Sequence, residues 1–148
     1  MTLLYGHRWH NFSERINANT KISCEFDKDV RMLYVDVYRR NRGQYEVIRT
    51  ARVAISIDSP SKATWVELYL PEELRGEGIG SAIVKIVLNY LKRKGVTEVG
   101  GKISHGDAPK ALGFWKKNGF TVIPYGPDDR TGWAAEIACV LTCHSNYG

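Results

Sequence analysis

Cysteine is scarce in this chain: three thiols, Cys24, Cys139 and Cys143, stand in 148 residues. An odd set cannot pair completely, and a secreted disulfide scaffold of this length carries a denser, even set, so reduced thiols are expected. Cys139, Cys143 and His144 resemble part of a metal site, but a fourth ligand and a second paired motif are missing. They read instead as structural residues on a late strand, and no metal is expected. Long apolar runs are also absent. The longest span about six residues before a charge interrupts them, against roughly 20 needed to cross a bilayer, so no membrane association is expected. The opening "MTLLYGHRWHNF" lacks the basic start, apolar centre and small-residue cleavage site of a secretory signal. Together these absences point to a cytoplasmic protein. No internal repeat or low-complexity segment is visible either.

What is present is an ordinary globular balance, with 43% hydrophobic and 25% charged residues. A chain of 148 residues can bury one real apolar core and is short for two, so one domain over 1–148 is expected. The formal charge is +5, and Arg31, Arg39, Arg40, Arg42, Arg49 and Arg52 crowd one segment. That segment could serve nucleic acid, yet Asp36 and Glu46 interrupt it and no nucleic-acid motif accompanies it. A solvated hairpin face is the favoured reading, with a general attraction for polyanionic cofactors left over.

From residue 21 to 70 the pattern has the two-residue period of strands. Ile22, Cys24 and Phe26 alternate with polar neighbours, "DKD" turns the chain, and Leu33, Val35 and Val37 resume the alternation. "NRG" at 41–43 makes the next turn, Val47 to Ile57 forms a third strand, and Val66, Leu68 and Leu70 form a fourth. The period then becomes helical: Ile79, Ala82, Ile83, Ile86, Val87, Tyr90 and Leu91 recur at spacings of three and four. Lys92, Arg93 and Lys94 complement the helix dipole at its end, and Gly95 stops it. "TEVGGKIS" reads as a fifth strand. "DAPKALGFWKKNGF" reads as a second, short helix with Asp107 as N-cap and Gly119 as its stop. "TVIPY" and "WAAEIACVLTC" read as two final strands joined by the turn-rich "GPDDRTG". The order is four strands, helix, strand, helix and two strands, an α/β chain with a mixed sheet.

Between the fourth strand and the first helix lies "RGEGIG", with Gly76, Gly78 and Gly80 at alternate positions. A strand feeding a glycine-rich loop and a helix N-terminus makes an anion site, because unpaired N–H groups and the positive dipole end converge. A Walker A loop needs Gly-Lys-Ser/Thr, which this loop lacks. The dinucleotide pattern GxGxxG fails as well, since its third glycine would fall on Ser81 or Ile83. A tight strand-to-helix turn with no ligand is the plain alternative.

The combination is more specific than the loop. "LYLPEELRGEGIG", followed 34 residues after Gly80 by "FWKKNGF", resembles the GNAT superfamily of acyl-CoA-dependent N-acetyltransferases. Members of that family show "V-x-P-E-x-R-G-x-G-I-G" and a later "A-x-x-F-Y-x-x-x-G-F". The likeness runs from about Thr64 to Tyr125. It implies a mixed, mostly antiparallel sheet of about seven strands with a central cofactor-binding helix and a second short helix. Residues 1–63 would supply N-terminal strands, 64–125 the acyl-CoA-binding core and 126–148 the C-terminal strand.

The resemblance also implies roles. Backbone N–H groups of Arg75, Gly76, Glu77, Gly78, Ile79, Gly80 and Ser81 would cradle the pyrophosphate of acetyl-CoA. Leu68 and Leu70 would bond the pantetheine arm as an added strand, and the Leu70 N–H would stabilise the oxyanion of acyl transfer. The fourth and fifth strands splay in this family, which would open a gap between Leu70 and about Ser104. The tyrosine that often protonates the leaving thiolate matches Trp115, which would cover the cofactor or pack in the core; Ser104 and Tyr125 are candidates for its chemistry. Positions that hold a basic glutamate or histidine in some members match Thr64 and Val66. Glu67, expected on the opposite face by parity, and His105 are the candidates for a base, beside a water chain to a distant carboxylate. The pantetheine-contacting asparagine matches Ala108, with Asp107 as its stand-in.

Two helices that usually follow the family's first strand have no counterpart, since only "DKD" separates the strands here. The acceptor side would then be open, or completed by the first 20 residues or by a second subunit in a homodimer. That favours a protein, peptide or large amine over a small buried one. The implied activity is acetyl transfer from acetyl-CoA to an amine; the alternative is a non-catalytic acyl-CoA-binding or regulatory module.

Overall fold

The computed structural model describes residues 9–126 and 128–141, with Asp107 and Ala108 described by their backbone alone. Cys143 and His144 lie outside the described residues, as do the side-chain roles expected of Asp107 and Ala108. Among the described residues nine strands form one sheet: β1 (Phe12–Asn17), β2 (Thr20–Asp27), β3 (Met32–Asn41), β4 (Gln44–Val47), β5 (Arg52–Ile57), β6 (Lys62–Tyr69), β7 (Glu98–Ser104), β8 (Thr121–Pro124) and β9 (Trp133–Val140). Helix α1 (Ile79–Arg93) joins β6 to β7, and α2 (Ala108–Lys117) joins β7 to β8. The order is β1-β2-β3-β5-β6-β7-β9-β8, with β4 hanging from the far end of β3.

This is the expected mixed, mostly antiparallel sheet, since β6–β7 alone among neighbouring pairs is parallel. It has nine strands rather than about seven. β1 was not expected, and the expected third strand is two, because a turn at Arg49 and Thr50 separates β4 from β5. No helix precedes Glu72 among the described residues, as the short connections between strands required.

The inward residues of the strands, including Ile22, Cys24, Leu33, Val35, Val37, Ile55, Ile57, Trp65, Val99 and Ile137, form one buried cluster with Ile79, Ile83, Val87, Tyr90 and Leu91 of α1. Both crossovers, β6 to β7 and β7 to β8, run between parallel strands in the same direction along the sheet. The right-handed rule therefore places α1 and α2 on one face. The other face carries Glu25, Tyr34, Asp36, Lys102 and Glu136, all exposed, which is how an antiparallel sheet open to water is patterned.

Candidate active site

The site forms where β6 and β7 part. Their parallel ladder runs from Lys62↔Glu98 to Trp65↔Gly101 and stops, leaving Val66–Tyr69 without a β7 partner. The expected splay is therefore present, opening toward Leu70 on one side and Ser104 on the other.

A bulge sits at the same point. On β5, Ala54 pairs with Glu67 and the next residue, Ile55, pairs with Trp65, so Val66 is an extra residue in β6. A bulge inserts one residue and re-aims those after it. Thr64 pairs with Ser56 and Glu67 with Ala54, two β5 residues of the same parity, so Thr64 and Glu67 share the open face. The expectation that Glu67 points to the opposite face from Thr64 is corrected: simple alternation fails across Val66. Glu67 Oε2 accepts from Arg52 Nε at 2.8 Å. The Arg52 guanidinium lies 4.6 Å from the Tyr69 ring centre, with Arg75 on the same ring at 5.7 Å.

The chain leaves β6 through Leu70, makes a 3-10 turn at Glu72–Leu74 and enters the glycine loop. Gly76 and Gly78 take φ of 82° and 75°, the left-handed region where a side chain is strained. No atom lies within 4 Å of where either Cβ would be, so conformation rather than crowding calls for glycine there, and the loop surface stays open. Gly80 differs. It is helical, and a Cβ on it would meet Phe114 Cε1 at 3.2 Å and Leu70 Cδ1 at 3.5 Å. Gly78 caps α1 with no side-chain hydrogen bond, and the first turn holds no acidic residue. The leading N–H groups of α1 thus retain their capacity for an anion.

Side chains brace this loop. Arg75 Nε donates to the Leu70 carbonyl at 2.9 Å. Arg39 donates to both oxygens of Glu77, at 3.0 and 2.7 Å, and to Thr20 Oγ1 at 3.0 Å. The Arg39 hydrogen bond holds the Glu77 carboxyl below its ordinary pKa. Asn118 Nδ2 donates to Ser81 Oγ at 3.2 Å and to the Phe114 carbonyl at 2.8 Å, which ties α2 to the start of α1.

Of the other expected residues, Trp115 is buried, edge-on to Trp65, Phe114 and Phe120 at centroid separations of 5.4, 5.2 and 4.8 Å. Ser104 is half-buried at the end of β7 opposite Trp133, and His105 is exposed in the 3-10 turn that follows. Tyr125 donates to Glu136 Oε1 at 3.0 Å, and desolvation, followed by that bond, raises its pKa. Along the open face of β6, β7 and β9 runs a groove of about 660 Å³, lined among others by Thr64, Val66, Lys102, Trp133 and Glu136. The residues brought together are Leu68, Leu70, the loop from Arg75 to Ser81, and Glu67 beside the splay. Arg39, Phe114 and Asn118 were missed. Arg39 was visible in principle, as a charge at an inward position after Leu33, Val35 and Val37. Among the described residues no group of three His, Cys, Asp or Glu side chains could hold a metal ion, and no helix is long and apolar enough to cross a membrane.

Residues 4–120 match the model of a family described as the acetyltransferase (GNAT) family. No curated protein sequence matches the chain. Ard1 from Thermoplasma volcanium superimposes with a TM-score of 0.57 at 19% identity, over 74% of this chain and 71% of that one. The PaiA N-acetyltransferase from Thermoplasma acidophilum, solved in complex with coenzyme A, gives 0.57 at 19% identity over 76% of this chain and 62% of that one. Tetrahymena GCN5 gives 0.53 at 15% identity over 74% and 69%. At such identities these likenesses concern the fold.

Proposed function

Given that the chain belongs to the acetyltransferase (GNAT) family, we propose that it is an N-acetyltransferase that moves an acetyl group from acetyl-CoA to an amine. The observation that carries this reading is the meeting, at one end of β6, of a left-handed glycine loop, an uncapped helix N-terminus and the parting of β6 from β7. The residues suit the donor. The Arg75 N–H, expected in the cradle, is instead donated to the Glu72 carbonyl at 3.0 Å, so backbone N–H groups from Gly76 to Ser81 would take the pyrophosphate, the unpaired edge of β6 at Leu68 and beyond would take the pantetheine amides, and the Leu70 N–H would face the acyl oxygen. Trp115 belongs to the wall beneath this site.

When bound, acetyl-CoA supplies the acetyl group as a thioester and leaves as the free thiol. The chain must take one proton from the acceptor, because an ammonium has no lone pair to attack with. Glu67 is the side chain we assign to that task, with Arg52 holding it at the mouth of the splay. Ser104, across the gap at the end of β7, and Tyr125, which follows β8 at the edge of the sheet, are the groups we assign to the departing sulfur. The bare face of the sheet supports a protein, peptide or other large amine as acceptor, received along the groove past Val66 and Trp133. A cytoplasmic setting fits the thiols of Cys24 and Cys139, which are both unpaired.

Titration calorimetry of Gly78→Val against coenzyme A tests the loop. A β-branched residue cannot hold φ of 75° without strain, so binding should be lost, and undiminished binding overturns the assignment. One observation favours the second reading, a non-catalytic acyl-CoA-binding module: the indole of Trp115 occupies the core where family members often place an acidic phenol. Release of free thiol from acetyl-CoA over a panel of amines and proteins separates the two.

A further inference from the structure

The phosphate loop of this chain is acidic, which is the wrong sign for its ligand. Glu72, Glu73 and Glu77 lie within six residues that contain one cation, Arg75, and the Arg75 Nε is committed to the Leu70 carbonyl. Glu77 stands between the two left-handed glycines, directly ahead of the helix N-cap Gly78. An uncompensated carboxylate there would repel a pyrophosphate at close range.

Arg39 reaches it from β3. Its guanidinium grips both Glu77 oxygens, at 3.0 and 2.7 Å, the planar two-bond geometry that fixes direction as well as charge. Arg39 is itself aimed by Thr20, whose side chain is fully buried on the neighbouring strand and accepts from Nη1 at 3.0 Å. Arg39 and Glu77 are both partly exposed, at 28% and 38%. A pair this wet contributes little to folding stability, so a role in the field of the loop accounts for it better.

We propose that Arg39 is the positioning residue of the donor site: it neutralises Glu77 and holds its carboxylate away from the phosphate seat, so that an acidic loop can accept coenzyme A. This rests on the reading of the loop as the coenzyme A site. Arg39 acts through Glu77 rather than on the cofactor, and that distinction is measurable.

The experiment is titration calorimetry of the full chain with coenzyme A, at low salt and at about 0.5 M salt, where the Debye length is a few Å. Arg39→Ala should weaken binding about ten-fold at low salt, with a smaller loss at high salt. Glu77→Gln should tighten binding several-fold, because it leaves Arg39 as a free cation beside the anion. The double variant Arg39→Ala/Glu77→Gln should recover to within a few-fold of the parent. A double variant as weak as Arg39→Ala overturns the proposal, for Arg39 would then touch the cofactor or brace the fold. Circular dichroism and melting identify misfolding of Arg39→Ala; in that case Glu77→Gln alone decides, and failure to tighten binding refutes the idea. If the parent binds no coenzyme A at either salt, the reading of the loop fails first. Binding by the parent with no recovery in the double variant sinks the present proposal alone.

Discussion

Tyr90 and His10 are locked together across 80 residues: the Tyr90 hydroxyl donates to the His10 carbonyl at 2.6 Å and accepts from the His10 N–H at 3.0 Å. One buried phenol thereby satisfies both backbone groups of a residue just ahead of β1 and ties them to α1. Trp9 and Phe12 pack on the same ring, at 5.6 and 4.4 Å between centroids. Tyr90→Phe keeps that packing and strands two backbone groups. It should cost about 1–3 kcal/mol of stability in chemical denaturation, with little change in coenzyme A affinity. A loss under a few tenths of a kcal/mol would show that water replaces the hydroxyl there.

Glu67 gives a kinetic prediction. Once an acceptor is in hand, Glu67→Gln should lower kcat by about 10²–10⁴-fold, the usual contribution of a positioned base. The loss should shrink as pH rises and more acceptor amine loses its proton unaided. A constant loss at all pH values would instead assign Glu67 to acceptor binding.

That residue also shows where sequence reasoning stops. The alternation of apolar and polar residues located β2, β3, β5 and β6, because one face of the sheet is buried and a period of two has no other explanation. The stripe from Ile79 to Leu91 located α1, and the loop before it carried its own chemistry. A bulge leaves no such mark. Val66 is an ordinary strand residue, and only its missing partner on β5 reveals that the faces exchange there. β1 escaped for the opposite reason: no residue of "FSERIN" is fully buried, so its pairing with β2 rests on backbone bonds that composition does not display. The Arg39–Glu77 contact joins residues 38 apart in sequence, and no local pattern encodes a partner at that distance.

Trp115 should prove structural whatever else it does. It meets Trp65, the last residue of β6 paired with β7, and Phe114 and Phe120 edge-on. Trp115→Ala should lose about 3–5 kcal/mol, the range for emptying a large aromatic site, and the unfolding midpoint in urea would report it. A milder loss would mean that the parted strands collapse into the cavity. Coenzyme A affinity of the folded fraction should then fall as well, since Phe114, which touches Trp115, also abuts Gly80.

Alkaline pH should unfold this protein from the inside. Burial, followed by the fields of Glu14 and Asp36, pushes the Cys24 thiol from 9.0 up to about 12. Burial raises Tyr90 and Cys139 in the same direction. For an acid whose pKa is raised by folding, the native state keeps a proton that the unfolded chain gives up. The stability it contributes is complete below pH 9 and drains away between pH 9 and about 12. Inside that window Cys24 lowers the unfolding free energy by about 1.4 kcal/mol per pH unit. Melting temperature should therefore fall steeply above pH 9, and Cys24→Ala, though less stable at pH 7 for its lost volume, should show a shallower alkaline slope. An unchanged slope in that variant would transfer the effect to Tyr90 and Cys139, and Tyr90→Phe would then flatten it instead.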